Sequence, residues 1–175
     1  MNYTIRLANQ NDCKELSELK HQVWTETYRG IYSDEKIDNF DYLKNEKYFL
    51  DIINDKSIDL YIVEDQNKIV GYMSCGTPLR PYKDYKQDVG LLYILQKYQR
   101  KGIGKELFNI AYRSIKENGY KKFFISCNKY NTSAQAFYKK MGGIIDCIDD
   151  DNIDKSLPQI KFIYKIKEGN TNEWK

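Results

Sequence analysis

Apolar positions alternate along Tyr3 to Leu7, then change to helical spacing at Leu16, Leu19, Val23 and Trp24, so a strand is followed by a helix from Cys13 to about Thr27. Asn11-Asp12 offers that helix a cap, and Gly30 breaks the pattern. After a polar stretch holding Asp34, Glu35, Asp38 and Asp41, a second helix over about Asn45 to Asn54 puts Tyr48, Phe49, Ile52 and Ile53 on one side. Ile58 to Val63 and Ile69 to Ser74 read as strands joined by a hairpin turn at Asp65-Gln66-Asn67-Lys68. Gly76 to Asp88, with Pro78 and Pro81, reads as a loop that could border a cleft.

The second half repeats a strand and helix alternation. Val89 to Leu95 is an apolar strand, and the run from Gly104 to Glu117 carries Ile103, Leu107, Ile110, Ala111 and Ile115 on one stripe up to Asn118-Gly119, a helix stop. Lys122 to Cys127 is a strand. Asn131 caps a helix with Ala134, Phe137, Tyr138 and Met141 at i, i+3, i+4 and i+7, closed by Gly142-Gly143. Strands over about Ile144 to Ile148 and Gln159 to Ile166 follow. This order implies an α/β fold with helices on both faces of the sheet, and a parallel, right-handed strand-helix-strand unit over 89–127.

The chain has 175 residues, which fits one domain, taken as 1–167 with a polar tail at 168–175. Its 28 Lys and Arg against 25 Asp and Glu leave a formal charge of +3, too balanced for a nucleic-acid footprint. Asp146, Asp149, Asp150, Asp151 and Asp154 form an interrupted acidic patch read as a loop. No apolar run approaches a membrane span and the start lacks a signal-peptide pattern, so the expected location is the cytoplasm, with no membrane partner. Cys13, Cys75, Cys127 and Cys147 lack metal-ligand spacing and His21 is the single histidine, so reduced thiols and no metal are expected.

The most specific stretch is Gln99-Arg100-Lys101-Gly102-Ile103-Gly104, which lies between a strand and a helix. A helix start leaves N–H groups unpaired and carries partial positive charge, and glycine lets a phosphate approach them. A dinucleotide fingerprint would need glycine where Leu107 sits, and a P-loop would need glycine and Ser or Thr where Gln99 and Glu106 sit, so both fail. A second motif follows at Asn131-Thr132-Ser133-Ala134-Gln135-Ala136-Phe137-Tyr138.

Together the two motifs resemble the GNAT superfamily of acyl-CoA-dependent N-acetyltransferases, most clearly over Asp88 to Gly143. The resemblance implies a single-domain GNAT-like fold with a mixed central sheet, acetyl-CoA as co-substrate, and direct transfer of its acetyl group to a primary amine. It implies that Gln99, Arg100, Lys101, Gly102, Ile103, Gly104 and Lys105 surround the pyrophosphate. Ile94 and Leu95 would offer main-chain hydrogen bonds to the pantetheine arm, and so would Asn131. It further implies Tyr138 as general acid, and a carboxylate near the central strand as base, a position held by Asp88. Glu64 and His21 are weaker candidates for that role. Trp24, Tyr28 and Arg29, with Tyr32, fall where the family's acceptor region lies. Acidic residues nearby favour a small cationic acceptor such as a polyamine, amino sugar or lysine-like amine. The family's frequent homodimers extend to this chain as an expectation. The alternative is a non-catalytic module that senses or docks acyl-CoA.

Overall fold

The computed structural model describes residues 2–149 and 158–167. Strand β1 (Tyr3–Leu7) runs antiparallel to β2 (Ile58–Asp65), with Tyr3 opposite Asp65 and Leu7 opposite Tyr61. Gln66 and Asn67 both have positive φ, 50° and 62°, the geometry of a tight primed turn into β3 (Lys68–Gly76). β4 (Asp88–Ile94) and β5 (Lys122–Asn128) are parallel at Asp88 and Phe124, and β7 (Gln159–Lys165) pairs antiparallel with both β5 and β6 (Ile144–Asp149). The strand order is β1-β2-β3-β4-β5-β7-β6, a mixed seven-stranded sheet as the sequence implies.

The chain forms two compact units, one of the residues up to Cys75 with Leu91–Leu107, the other of Gly76–Gly90 with the residues from Phe108 on. In the first, helix α1 (Cys13–Tyr28) turns Leu16, Leu19, Val23 and Tyr28 inward. The cap differs from the one expected. Asn9 caps a short 3-10 turn with a reciprocal capping box, its side chain accepting from Asn11 N–H while its own N–H donates to Asp12 Oδ2 at 2.7 Å. Asp12 makes no side-chain cap to α1, because Arg6 grips both its oxygens at 2.8 and 2.9 Å and reaches Glu64 at 3.0 Å. That contact holds Asp12 below the usual carboxylate range.

A short helix, α2 (Asp34–Asp38), capped by Ser33, occupies the stretch that read only as polar. Helix α3 (Tyr42–Asn54) begins three residues before the expected Asn45, because Asp41 caps it through Lys44 N–H at 2.9 Å. Its Phe49 packs edge-on against Tyr72 of β3, ring centroids 5.4 Å apart.

Helix α4 (Ile103–Glu117) buries Ile103, Leu107, Ala111 and Ile115 of the expected stripe, and also Phe108. In the second unit Phe108 and Phe123 meet Tyr164 at 5.2 and 4.6 Å, the latter stacked. Helix α5 (Thr132–Lys140) ends at Met141, and Gly142 turns the chain at φ 80°. Cys13, Cys75 and Cys127 are buried free thiols and Cys147 is half-buried. No helix among the described residues is long and apolar enough to cross a membrane, and no group of three metal-ligating side chains occurs among them. The tail at 168–175, the side chain of Asp149, and Asp150, Asp151 and Asp154 lie outside what is described.

Candidate active site

The start of α4 is built to receive an anion. Glu106 is the first residue to bond back, its N–H reaching Gly102 O at 3.1 Å, so the N–H groups of Ile103, Gly104 and Lys105 precede the helical ladder. Just before them φ alternates in sign: Arg100 at +61° and Gly102 at +90° are left-handed, while Lys101 and Ile103 are not. Successive peptides of opposite hand turn their N–H groups to one concave side, the arrangement of an anion nest. A Cβ on Gly102 would meet nothing within 4 Å, so glycine is required there by its backbone angle. Glu106, the one acid in this first turn, accepts from Tyr3 OH at 2.6 Å.

Other members of the expected set have their main-chain groups committed within the protein. Gln99 N–H donates to Gln96 O at 3.1 Å, and its side-chain amide donates to Ile94 O at 2.9 Å. Leu95 N–H donates to Val70 O at 3.0 Å and Leu95 O accepts from Tyr98 N–H at 2.8 Å. A ligand arm pairing with this strand therefore finds Leu95 already bonded on both sides. Leu91 to Ile94 of β4 keep partial exposure.

In the second unit, Asp88 opens β4 without a hydrogen-bond partner for its carboxylate among the described residues. Burial pushes its carboxyl up to about 7, against the pull of the Lys161 ammonium. Lys161 is itself buried, donates to Ser126 Oγ at 2.9 Å, and lies over the rings of Tyr82 and Phe124 at 5.4 and 5.7 Å. Tyr138 is buried on α5, its ring 5.5 Å from Phe137 and 5.7 Å from Phe162. Its carbonyl accepts from Gly143 N–H at 2.9 Å and from Tyr164 OH at 3.1 Å, which pins the backbone carrying the phenol. Asn131 Oδ1 is used as the α5 cap, accepting from Ala134 N–H at 3.0 Å, so its amino group is the part left to donate to a ligand.

A model of the acetyltransferase (GNAT) family matches residues 18–143. The chain belongs to that family. Beta-lysine N(6)-acetyltransferase of Methanococcus maripaludis is 26% identical over 95% of this chain, which spans only 56% of that relative's length. Spermidine N(1)-acetyltransferase of Thermoplasma acidophilum is 25% identical, with 85% of this chain and 92% of that one aligned. Among solved structures, the PaiA N-acetyltransferase of Thermoplasma acidophilum in complex with coenzyme A superposes with a TM-score of 0.77 at 23% identity, covering 94% of this chain and 99% of that one. That likeness establishes the GNAT fold.

The GNAT acceptor region expected at Trp24, Tyr28 and Arg29 is an aromatic cluster. Trp24 lies 5.8 Å from Tyr28, 5.9 Å from Tyr32 and 6.3 Å from Phe40, and Tyr28 stacks on Tyr32 at 4.7 Å. Arg29 points its guanidinium to Asp34 and Asp38 at 2.8 and 2.6 Å, so much of the acidity near it is already neutralised. Asp146, too, is engaged, accepting from Tyr82 and Lys83. Glu64 is tied to Arg6, and His21 Nδ1 to Tyr42 OH at 2.5 Å, whereas the Asp88 carboxylate has no hydrogen-bond partner among the described residues. Lys161 and Tyr164 escaped the sequence reading and Gly143 was read only as a helix stop, since what sets them apart is contact with the distant Asp88 and Tyr138.

Replacing Gly102 with alanine tests the cradle directly. Holding an L side chain at φ +90° costs about 1–2 kcal/mol, so KM for acetyl-CoA should rise about tenfold with a smaller change in kcat, read by steady-state kinetics.

Proposed function

We propose that this chain is an N-acetyltransferase that carries an acetyl group from acetyl-CoA directly to a primary amine. The observation that carries the reading is the nest at Arg100–Gly102 running into the unpaired N–H groups of α4. Family membership and the naming of two relatives for acetylation of beta-lysine and spermidine support it. Bound there, the co-substrate supplies an activated thioester. Backbone N–H groups of Ile103, Gly104 and Lys105, helped by the charges of Arg100, Lys101 and Lys105, hold its pyrophosphate.

Asp88 takes the proton that an ammonium acceptor must lose before it can attack. A carboxyl titrating near 7 suits that work: it is ionised in good part at neutral pH and still basic enough to accept. Tyr138 gives its phenolic proton to the departing thiolate, a feasible transfer because a phenol near 10 and a thiol near 8.5 are close in acidity. Asn131 donates its amide N–H to the pantetheine arm. The acceptor is a small amine carrying at least one further charged group.

The test is thiol release from acetyl-CoA across polyamines, amino sugars, amino acids and peptides, with Tyr138→Phe beside the wild type. Turnover with one acceptor class, reduced about a hundredfold in the variant at unchanged acetyl-CoA affinity, is the expected result. Saturable coenzyme A binding with no acetylation of any amine would replace the enzyme with a sensor or docking module.

A further inference from the structure

Three buried polar atoms in the first unit have no hydrogen-bond partner among the described residues: His21 Nε2, Trp24 Nε1 and Tyr72 OH. They belong to one continuous aromatic cluster. Trp24 and His21 on α1 both contact Phe40, at 6.3 and 4.9 Å. Lys20, one turn before Trp24, places its ammonium 5.4 Å from the Trp24 ring, 4.4 Å from Tyr48 and 5.7 Å from Phe49, and Phe49 packs on Tyr72.

Lys20 itself is the unusual member. Its polar contact is a hydrogen bond to Asn45 Oδ1 at 2.7 Å, and no carboxylate pairs with it among the described residues. Desolvation alone lowers its titration to about 8, so nothing anionic nearby offsets its burial. Asp34 and Asp38 of α2 are held by Arg29, and Asp41 is spent on capping α3. An indole N–H can only donate, an ammonium can only donate, and a phenol donates readily; in the tautomer whose Nδ1 accepts from Tyr42 OH, His21 Nε2 is a donor too. Buried donors without acceptors are costly and rare, and the Lys20 ammonium lies by the Trp24 ring and by Phe49, the ring that packs on Tyr72, so an uncompensated cation beside such donors marks a place for an anion.

We propose that Lys20, His21, Trp24 and Tyr72 bind a carboxylate of the acceptor, which makes the substrate an amino acid with a second amine rather than a plain polyamine. The assignment rests on the transferase reading above for its choice of ligand. The aromatic rings surround the aliphatic part of such a molecule, and the carboxylate draws the Lys20 ammonium from its resting place over Tyr48 and Phe49. Recognition of the charged end is separate from the amine that reacts, so one residue set fixes identity and another carries the chemistry.

The experiment compares L-lysine and β-lysine with cadaverine, which keeps the two amines and lacks the carboxylate, and with spermidine, by turnover and by calorimetric binding to the full chain. The carboxylated amines should be preferred in kcat/KM by about tenfold or more, the worth of one charge-assisted hydrogen bond. Lys20→Met should erase most of that ratio through KM, and Tyr72→Phe, which keeps the ring and removes only an orphaned hydroxyl, should reduce it. Cadaverine or spermidine used as well as lysine, or a ratio that survives both variants, would overturn the proposal. Lysine binding that Lys20→Met abolishes, without turnover of any amine, would uphold the carboxylate site while removing the transferase reading. Absence of both turnover and lysine binding would overturn the carboxylate site.

Discussion

Asp88→Asn is expected to lower kcat/KM by about a hundred- to ten-thousandfold, the span that positioned acid and base groups contribute. The wild-type profile should rise with pH through about 7, since the proposed base works as its carboxylate and burial raises its titration to there. The variant should lose that limb. Stability should move the other way. The folded chain raises this carboxyl from an unfolded value of about 3.9 to about 7, so the folded state binds the proton more tightly. Stability linked to Asp88 is therefore fully present below the unfolded value and is lost as pH rises through the folded one. Asparagine does not ionise, and the variant should melt higher than wild type at pH 8, by an amount worth up to a few kcal/mol, with the gap closing toward pH 4. Loss of the charge facing Lys161 offsets part of that gain. Lys161→Met supplies an independent check: without its ammonium the acid limb should shift to higher pH. A mutant profile that keeps the wild-type limb and rate would remove Asp88 from the base role.

The element order was legible because strands and helices here are long enough to show a period. Asn67 announced the turn as a residue type that tolerates positive φ, and it adopts that conformation together with Gln66 before it. Helix α2 spans Asp34–Asp38, too short for any apolar repeat, and its one inward residue, Ile37, reads as an isolated apolar position. The α1 cap was misplaced because Asp12 is a good capping residue by type, while the partner that claims it, Arg6, comes from β1. The cradle showed in the sequence through Gly102, whose left-handed angle glycine permits; the left-handed Arg100 beside it could not be anticipated from residue type. Lys20 and Tyr72 were silent for a similar reason. A lysine on a helix and a tyrosine in an apolar strand are ordinary, and only the tertiary contacts leave the one without a carboxylate and the other without a hydrogen-bond partner among the described residues.

Gly143→Ala is expected to destabilise the fold by about 1–3 kcal/mol, the cost of overpacking a filled site, and to cut activity well beyond what that loss of folded population explains. A Cβ there would stand 2.5 Å from Tyr164 Oη, 2.7 Å from Tyr164 Cζ and 2.9 Å from the Tyr138 carbonyl oxygen. The first two contacts belong to a side chain that cannot easily retreat, since Tyr164 is buried between Phe108 and Phe123. The third belongs to backbone. Both the Tyr164 hydroxyl and the Gly143 N–H bond that same carbonyl, so the added methyl strikes the two contacts that hold the end of α5 in place. Relief must come from movement of Tyr164, of Tyr138 or of the chain between them, and the general-acid role proposed for the Tyr138 phenol is intolerant of such shifts. Tyr164→Phe separates the two effects. It removes the hydroxyl that the methyl would strike and leaves the Gly143 bond, so alone it should cost about 1 kcal/mol, and combined with Gly143→Ala it should recover part of the lost stability. Chemical denaturation of the four proteins in a double-mutant cycle, run beside kcat for each, reads the coupling; additive losses would mean that Gly143 and Tyr164 do not act together in positioning Tyr138.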